Sequence, residues 1–292
     1  MSGSTLRVSD STLRADALAR LPALRVAHPA AFRRLTPGRA LVLGLLLLGT
    51  ALLALGIWRL QIVPGRLLSG LGELLHFVTL MLPPDPGSWA QTRLILHALA
   101  ETLAIAFLGT LMAALLGLPL GLLAARNATV NGVVRFLSRR LLDSLRGIDA
   151  LIWALIWVSV VGLGPFAGVL AVMTGDIGIF GKMFSEAIEA ADRRPQEGVV
   201  AAGGEGRARL RFGVLPQVLP VMAGQVLYMI ESNARSSTII GIVGAGGIGL
   251  ILAEMIRTLE WPTVAFIVLL ILAMVAVIDA VSGQLRRRLM GA

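Results

Sequence analysis

A chain of 292 residues that is 56% hydrophobic and only 15% charged, with a mean hydropathy of +0.83, reads as a membrane protein, since soluble domains carry about 25% charge. It has no cysteine, which excludes disulfides, iron–sulfur clusters and thiolate zinc sites, and its three histidines, His28, His76 and His97, are too scattered to form a metal centre. A net charge of +9 indicates nucleic acid only when the basic residues form a patch on a folded domain. Here they sort along the chain instead.

Residues 1–39 are basic, with two readings open: an amphipathic segment at the inner headgroups, or a plain cytoplasmic tail. Residues 40–58, "ALVLGLLLLGTALLALGIW", form an uncharged run of the length that crosses a ~30 Å hydrocarbon core as a helix. It is the first predicted span. It is not a cleaved leader, because too many residues precede it and no small-residue cleavage site follows. Next, Leu67, Leu68, Leu71, Leu74, Leu75 and Val78 recur at helical spacing, which predicts an amphipathic helix on the outer lipid surface, followed by a Pro/Gly loop.

Span two lies within 94–125 and is long enough to tilt, protrude or bend near Pro119. Spans three (148–162) and four (165 to about 185) are separated by "GLGP", a tight hairpin. Span five runs from Pro216 to about 240, and span six covers 262–283. With the N-terminus inside, the predicted inner segments hold seven arginines before span one, five between spans two and three, Lys182 and five arginines between spans four and five, and Arg286, Arg287 and Arg288 at the end. These are 21 of the 26 basic residues, the asymmetry of a multi-pass membrane protein with both termini on the cytoplasmic side. The fold class is therefore all-α with six transmembrane helices. A transmembrane domain is expected over 40–285 and a cytoplasmic tail over 286–292.

Between spans four and five the helix continues as "KMFSEAIEAAD" and stops before Pro195. "QEGVVAAGGEGRARLRFGVLPQVLP" then reads as a short small-residue helix at about Glu197 to Ala202, a Gly203–Gly204 stop, a basic stretch and a proline-started membrane helix. Small residues let a helix sit deep in the groove of another protein. Within span five, "YMIESNARSST" places Glu231, Asn233, Arg235, Ser236, Ser237 and Thr238 in or near the apolar zone, where a central charge costs about 2.5–3.5 kcal/mol and so faces protein or water. Glu231 and Arg235, four apart, either neutralise each other or, with Asn233 and the hydroxyls, line an anion path. His76 and His97 read as surface or packing residues, Met222 and Met229 as packing, and Asp279 as lying near the inner interface.

"GIVGAGGIGL" contains Gly244, Gly246 and Gly249 as G-x-G-x-x-G, the dinucleotide fingerprint. The fingerprint requires a preceding strand and an acidic residue about 20 positions later. Here an apolar helix precedes it and "PTVAFIVLLILA" follows. Gly244, Gly246, Gly247 and Gly249 are instead expected to form a turn or hinge between span five and a short re-entrant helix at the outer mouth. The nearest approach to a phosphate-binding loop, "GDIGIFGKM", has Asp176 for the first glycine and Met183 for the hydroxyl residue. No ATPase, metal site or cofactor site is expected in this chain.

The loop resembles the EAA loop of ATP-binding-cassette importer permeases: E-A-A, three residues, G, nine residues, I, one residue, L-P. Glu197, Gly203, Leu215 and Pro216 fall at matching positions; "EGV" replaces E-A-A, and Gly213 stands at the isoleucine position. Together with "ESNARSSTIIGIVGAGGIG", the chain resembles the phosphonate-type permeases, relatives of the methionine permeases, over roughly residues 90–285. The resemblance implies a type I importer permease fold and a coupling loop over 186–216. Glu197, Gly198, Ala202, Gly203, Leu215 and Pro216 would meet a separate ATPase subunit that carries the ATP and magnesium. Glu231, Asn233, Arg235, Ser236 and Ser237 would lie along the translocation path or gate. The implied partners are a second copy of the chain, two ATPase subunits, a periplasmic or lipid-anchored substrate-binding protein and membrane lipid, with no nucleic acid. The cargo would be phosphonate or a related small phosphorus oxyanion. A methionine or other small-solute permease is the alternative within the class. An ion-coupled carrier using Glu101, Glu231, Arg235 and Asp279 would call for inverted repeats, which the sequence lacks.

Overall fold

The computed structural model describes residues 18–23, 26–27, 37–61, 64–129 and 131–290, so most of the basic N-terminal segment, His28 included, lies outside the described residues. The described residues fold as helices without strands. The chain divides into two units, residues 1–75 and 76–292. The first is dominated by α1 (Pro37–Arg59), whose span Ala40–Arg59 buries none of its side chains inside the unit. A helix that is apolar on every side belongs in lipid.

Helix α2 (Pro64–Leu80) leaves Leu68, Leu71, Leu74 and Leu75 exposed, as expected of a helix lying on a lipid surface. Near its end Phe77 meets Trp261 edge-on at 4.4 Å.

The second unit is built on α3 (Trp89–Ala124) and α6 (Pro165–Glu189). Ser88 caps α3 by accepting a hydrogen bond from the Gln91 amide at 3.2 Å. At 36 residues the helix is about 54 Å long, so it outreaches the bilayer. Its seam with α6 is made of small residues: a Cβ on Gly109 would lie 2.7 Å from Val172 Cβ, and one on Gly117 2.8 Å from Phe180 Cβ. Backbones that approach this closely hold membrane helices together by van der Waals contact where lipid removes the hydrophobic drive.

Among the described residues five helices are long and apolar enough to cross a membrane, and six when α4 (Gly132–Arg146) and α5 (Ala150–Val161), bent by 87°, count as one span. This corrects the uninterrupted third span expected at 148–162. Asp149 starts α5 by accepting from the Leu151 amide at 2.9 Å, and twelve residues give only about 18 Å of helix. Helix α4, read as an inner loop because of its arginines, is amphipathic. Leu142 is buried against Gly178 and Gly181 of α6.

Helix α7 (Arg193–Ala201) begins four residues before the expected Glu197. Pro195 falls in its first turn, where the missing N–H has no intrahelical partner to lose. A π-helical turn, Arg209–Val214, leads into α8 (Leu215–Ile242), then α9 (Ile248–Arg257) and α10 (Trp261–Met290). Residues 286–290, expected to form a tail, continue α10, and Arg286 is fixed to Glu231 at 3.4 Å.

Candidate functional site

Helix α7 is anchored at its N-terminal end to the start of α8. The Asp192 side chain caps it by accepting from the Arg194 amide at 3.1 Å. Gln217, at the start of α8, accepts from the Asp192 amide at 3.0 Å and donates to the Asp192 carbonyl at 3.2 Å and the Gly213 carbonyl at 2.6 Å. Gln196 is buried, and a Cβ on Gly213 would lie 2.9 Å from Gln196 Cα. The glycine at the isoleucine position of the loop pattern is therefore the residue that lets α7 lie flat on the π-helical turn.

The helix stops where expected. Gly203 has φ +83°, and the Gly203 and Gly204 amides return to the Val200 and Val199 carbonyls, each at 2.9 Å. Glu197, Gly198, Ala202, Gly203 and Pro216 are exposed and Leu215 is half-buried. Arg194, Gly198 and Ala202 follow at i, i+4 spacing along one outward face. A Cβ on Gly198 would meet nothing within 4 Å, so this face has room for a partner.

Behind α7, the ends of α3, α4 and α6 are tied by polar contacts. Arg139 pairs with Glu189 at 2.6 Å and its Nε donates to the Ala124 carbonyl at 3.0 Å. Glu189 also accepts from the Arg126 amide at 2.7 Å, and Asn127 donates to the Ile188 carbonyl at 2.7 Å.

The expected path residues separate onto two sides of α8. Glu231 and Arg235 pair at 3.2 Å, and Arg286 joins Glu231, so this site carries two positive charges against one negative. Arg235 keeps 48% of its side chain exposed at membrane depth. Ser236 is half-buried. Asn233 and Ser237 are buried in the bundle. Asn233 donates to Thr110 Oγ1 at 2.8 Å and to the Asp176 carboxylate, so a polar knot joins α3, α6 and α8, while the Ser237 and Thr238 hydroxyls have no hydrogen-bond partner among the described residues.

The glycine loop is a turn, as expected: Gly244, Gly246 and Gly247 all have positive φ. It packs against the start of α6, where a Cβ on Gly246 would lie 2.6 Å from Pro165 N, and against α3. Gly247 precedes α9 without a side chain to cap it, and α3 supplies the cap from outside: Glu101 accepts from the Gly247 amide at 3.3 Å and Thr102 from the Ile248 amide at 2.8 Å. A Cβ on Gly247 would lie 2.5 Å from Thr102 Oγ1, and one on Gly249 would strike the Thr238 carbonyl.

Sequence reasoning did not assign Asp176, Thr110 or Thr102 to any site. Asp176 could have been noticed as a carboxylate inside an apolar span, which marks a functional position by default. Nothing in the sequence pairs it with Asn233. His97 lies 3.3 Å from Glu101, and among the described residues no cluster of His, Asp and Glu is arranged to hold a metal.

The family described as "Binding-protein-dependent transport system inner membrane component" matches residues 117–291. The phosphite transport system permease protein PtxC of Stutzerimonas stutzeri is 41% identical over 221 residues, 76% of this chain and 79% of its own length. The phosphate-import permease protein PhnE of Mycolicibacterium smegmatis is 37% identical over 230 residues, 79% of this chain and 43% of its own. Among solved structures, the inward-facing MetNI methionine ABC transporter aligns at a TM-score of 0.61 with 20% identity, covering 69% of this chain and 99% of that one. At that identity the likeness concerns the fold.

Proposed function

The chain belongs to the family of binding-protein-dependent transport system inner membrane components, and from that membership we propose that it is the permease subunit of an ATP-driven importer for a phosphorus oxyanion: phosphite, phosphonate or phosphate. The observation that carries the mechanism is α7, a short exposed helix that follows α6 directly in the chain and is tied to α8 and its π-helical turn by Gln217 and the Gly213–Gln196 contact. Force applied to α7 passes into two membrane helices without slack.

In this reading hydrolysis belongs to partner ATPase subunits. Residues 175–183, the nearest approach to a phosphate-binding loop, lie inside continuous α6, where backbone amides are committed to the helix. The outward face Arg194, Gly198 and Ala202 enters the ATPase groove, with Glu197 at its edge. One chain offers one such helix, so the permease works as two copies, and a substrate-binding protein delivers cargo to the opposite mouth. The charge asymmetry along the sequence supports placing both termini and α7 in the cytoplasm. Arg235, too costly to leave facing lipid, lines the path between the copies, where the positive excess around Glu231 suits an anion. The cap between α3 and α9 forms the outer end of the gate.

The test is co-purification of the solubilised chain with the ATPase subunit for wild type and Gly198→Trp. The wild type is expected to retain the ATPase and the variant to lose it while staying folded, because a side chain at Gly198 points into open space. Gly203→Asp is a poorer probe, since φ +83° strains any side chain there. ATPase retained at wild-type level by Gly198→Trp overturns the docking face, and uptake by vesicles without ATP overturns the importer.

A further inference from the structure

The other side of α7 borders an open cleft of about 820 Å³ that docking of the small-residue face leaves unexplained. Arg193, Glu197 and Val200 of α7 line it on one side. Arg126 and Asn127, from the link between α3 and α4, face them, with Arg209 alongside. Glu189, also in its wall, is already committed to Arg139. Among the described residues no carboxylate pairs with the guanidinium groups of Arg126, Arg193 or Arg209. Arg209 reaches only the Asn127 carbonyl, at 3.4 Å.

We propose that this cleft binds a phosphate-bearing anion, specifically the headgroup of an anionic phospholipid, and so ties the coupling helix to the membrane end of α3. The inference rests on the reading that places α7 at the cytoplasmic face. Three guanidinium groups around one recess form the planar, multiply donating surroundings that phosphate oxygens match. The single Glu197 carboxylate leaves the balance positive. The volume lies in the range that encloses drug-sized molecules, which argues for a phosphate attached to a larger body over a free oxyanion. The cleft is level with the ends of α3 and α6, where basic pockets between membrane helices take headgroups. Val200 adds an apolar wall.

A bound headgroup bridges Arg193 on α7 to Arg126 on the α3–α4 link, two parts of the chain that otherwise meet across open space. It would hold the coupling helix in one position relative to α3, making ATP-driven transport depend on the anionic lipid content of the inner leaflet.

The experiment titrates the full-length permease, purified in zwitterionic detergent, with short-chain phosphatidylglycerol, short-chain phosphatidylcholine or inorganic phosphate, following the thermal unfolding midpoint. The variants are Arg126→Gln, Arg193→Gln and Glu197→Gln. Phosphatidylglycerol is expected to stabilise the wild type, phosphatidylcholine to have no effect, and inorganic phosphate to act only at far higher concentration. Each arginine substitution should weaken binding about tenfold, the loss of one charge-assisted contact, and Glu197→Gln should tighten it. Among the described residues neither the Arg126 nor the Arg193 guanidinium makes a hydrogen bond or ion pair, so both variants should fold. If inorganic phosphate equals the lipid at the same concentration, the site takes free phosphate, and the lipid assignment is overturned while the phosphate site stands. If phosphatidylcholine matches phosphatidylglycerol, or the arginine variants titrate as wild type, the site is refuted. If Arg126→Glu releases the ATPase while lipid titrations are unchanged, the cleft is a protein contact and the proposal falls. Because the readout is binding to the permease alone, failure here leaves the Gly198→Trp test untouched.

Discussion

Thr102→Val tests whether α3 holds the start of α9. Thr102 is fully buried, accepts from the Ile248 amide at 2.8 Å and donates to the Ala98 carbonyl at 2.9 Å. Valine keeps the shape and removes the acceptor. The Ile248 N–H is then left without a partner in a buried place, at a cost of about 1–3 kcal/mol. Loss of a side-chain cap gives a similar figure, about 0.5–2 kcal/mol, and because both describe the same bond they are not added. At about 2 kcal/mol the first turn of α9 opens roughly 30-fold more often. Hydrogen exchange in nanodiscs is the assay: amides over residues 247–251 should exchange about 30-fold faster while the α3–α6 seam keeps its protection. Thr102→Ser, which restores the acceptor, should recover most of the loss. Unchanged exchange at the start of α9, or loss spread evenly over the bundle, would refute the reasoning.

Two further outcomes are expected. Arg235→Gln, with protein level unchanged, should lower phosphite uptake at least tenfold, since a contact to a charged group contributes about 1.5–3 kcal/mol; unaltered rate and substrate preference would remove Arg235 from the path. Gly109→Ala, which places a Cβ 2.7 Å from Val172 Cβ, should destabilise the α3–α6 pair by about 1–3 kcal/mol in graded SDS unfolding, and Val172→Ala should relieve it.

Long, predominantly apolar runs were legible in the sequence because a bilayer selects for length and apolarity. Thus α1, α3, α6, α8 and α10 emerged close to their observed positions, as did the stop at Gly203. The break between α4 and α5 was hidden by arginines at 135, 139, 140 and 146. A charge pattern does not distinguish a loop from an amphipathic helix until the face that covers Gly178 and Gly181 is known. The coupling segment was recognisable by spacing, but Gly213 looked like a mere departure from pattern, and only the position of Gln196 gives it a reason. The Glu231–Arg235 pair could be read from i, i+4 geometry, whereas Arg286 and Asp176 come from 55 and 57 residues away, a distance over which no local rule operates. The same holds for the glycine fingerprint. Its context excluded a dinucleotide, yet its partner on α3 is 146 residues distant.

That long-range tying also decides how coupling should fail. Helix α7 has two routes into the bundle, through the end of α6 and through Gln217 on α8. Gln217 makes three hydrogen bonds, to Asp192 twice and to Gly213 once. If α7 were merely a docking surface, Gln217→Ala would leave transport in proportion to ATP hydrolysis, however much either declined. If α7 is a lever, the substitution loosens its joint to α8 without touching the outward face at Gly198. The ATPase should still bind and still hydrolyse ATP, while phosphite moved per ATP falls severalfold in proteoliposomes. A ratio equal to wild type would show that force reaches α8 by another route, through α6 and the Asp176–Asn233 knot, which among the described residues is the one side-chain hydrogen bond between those two helices.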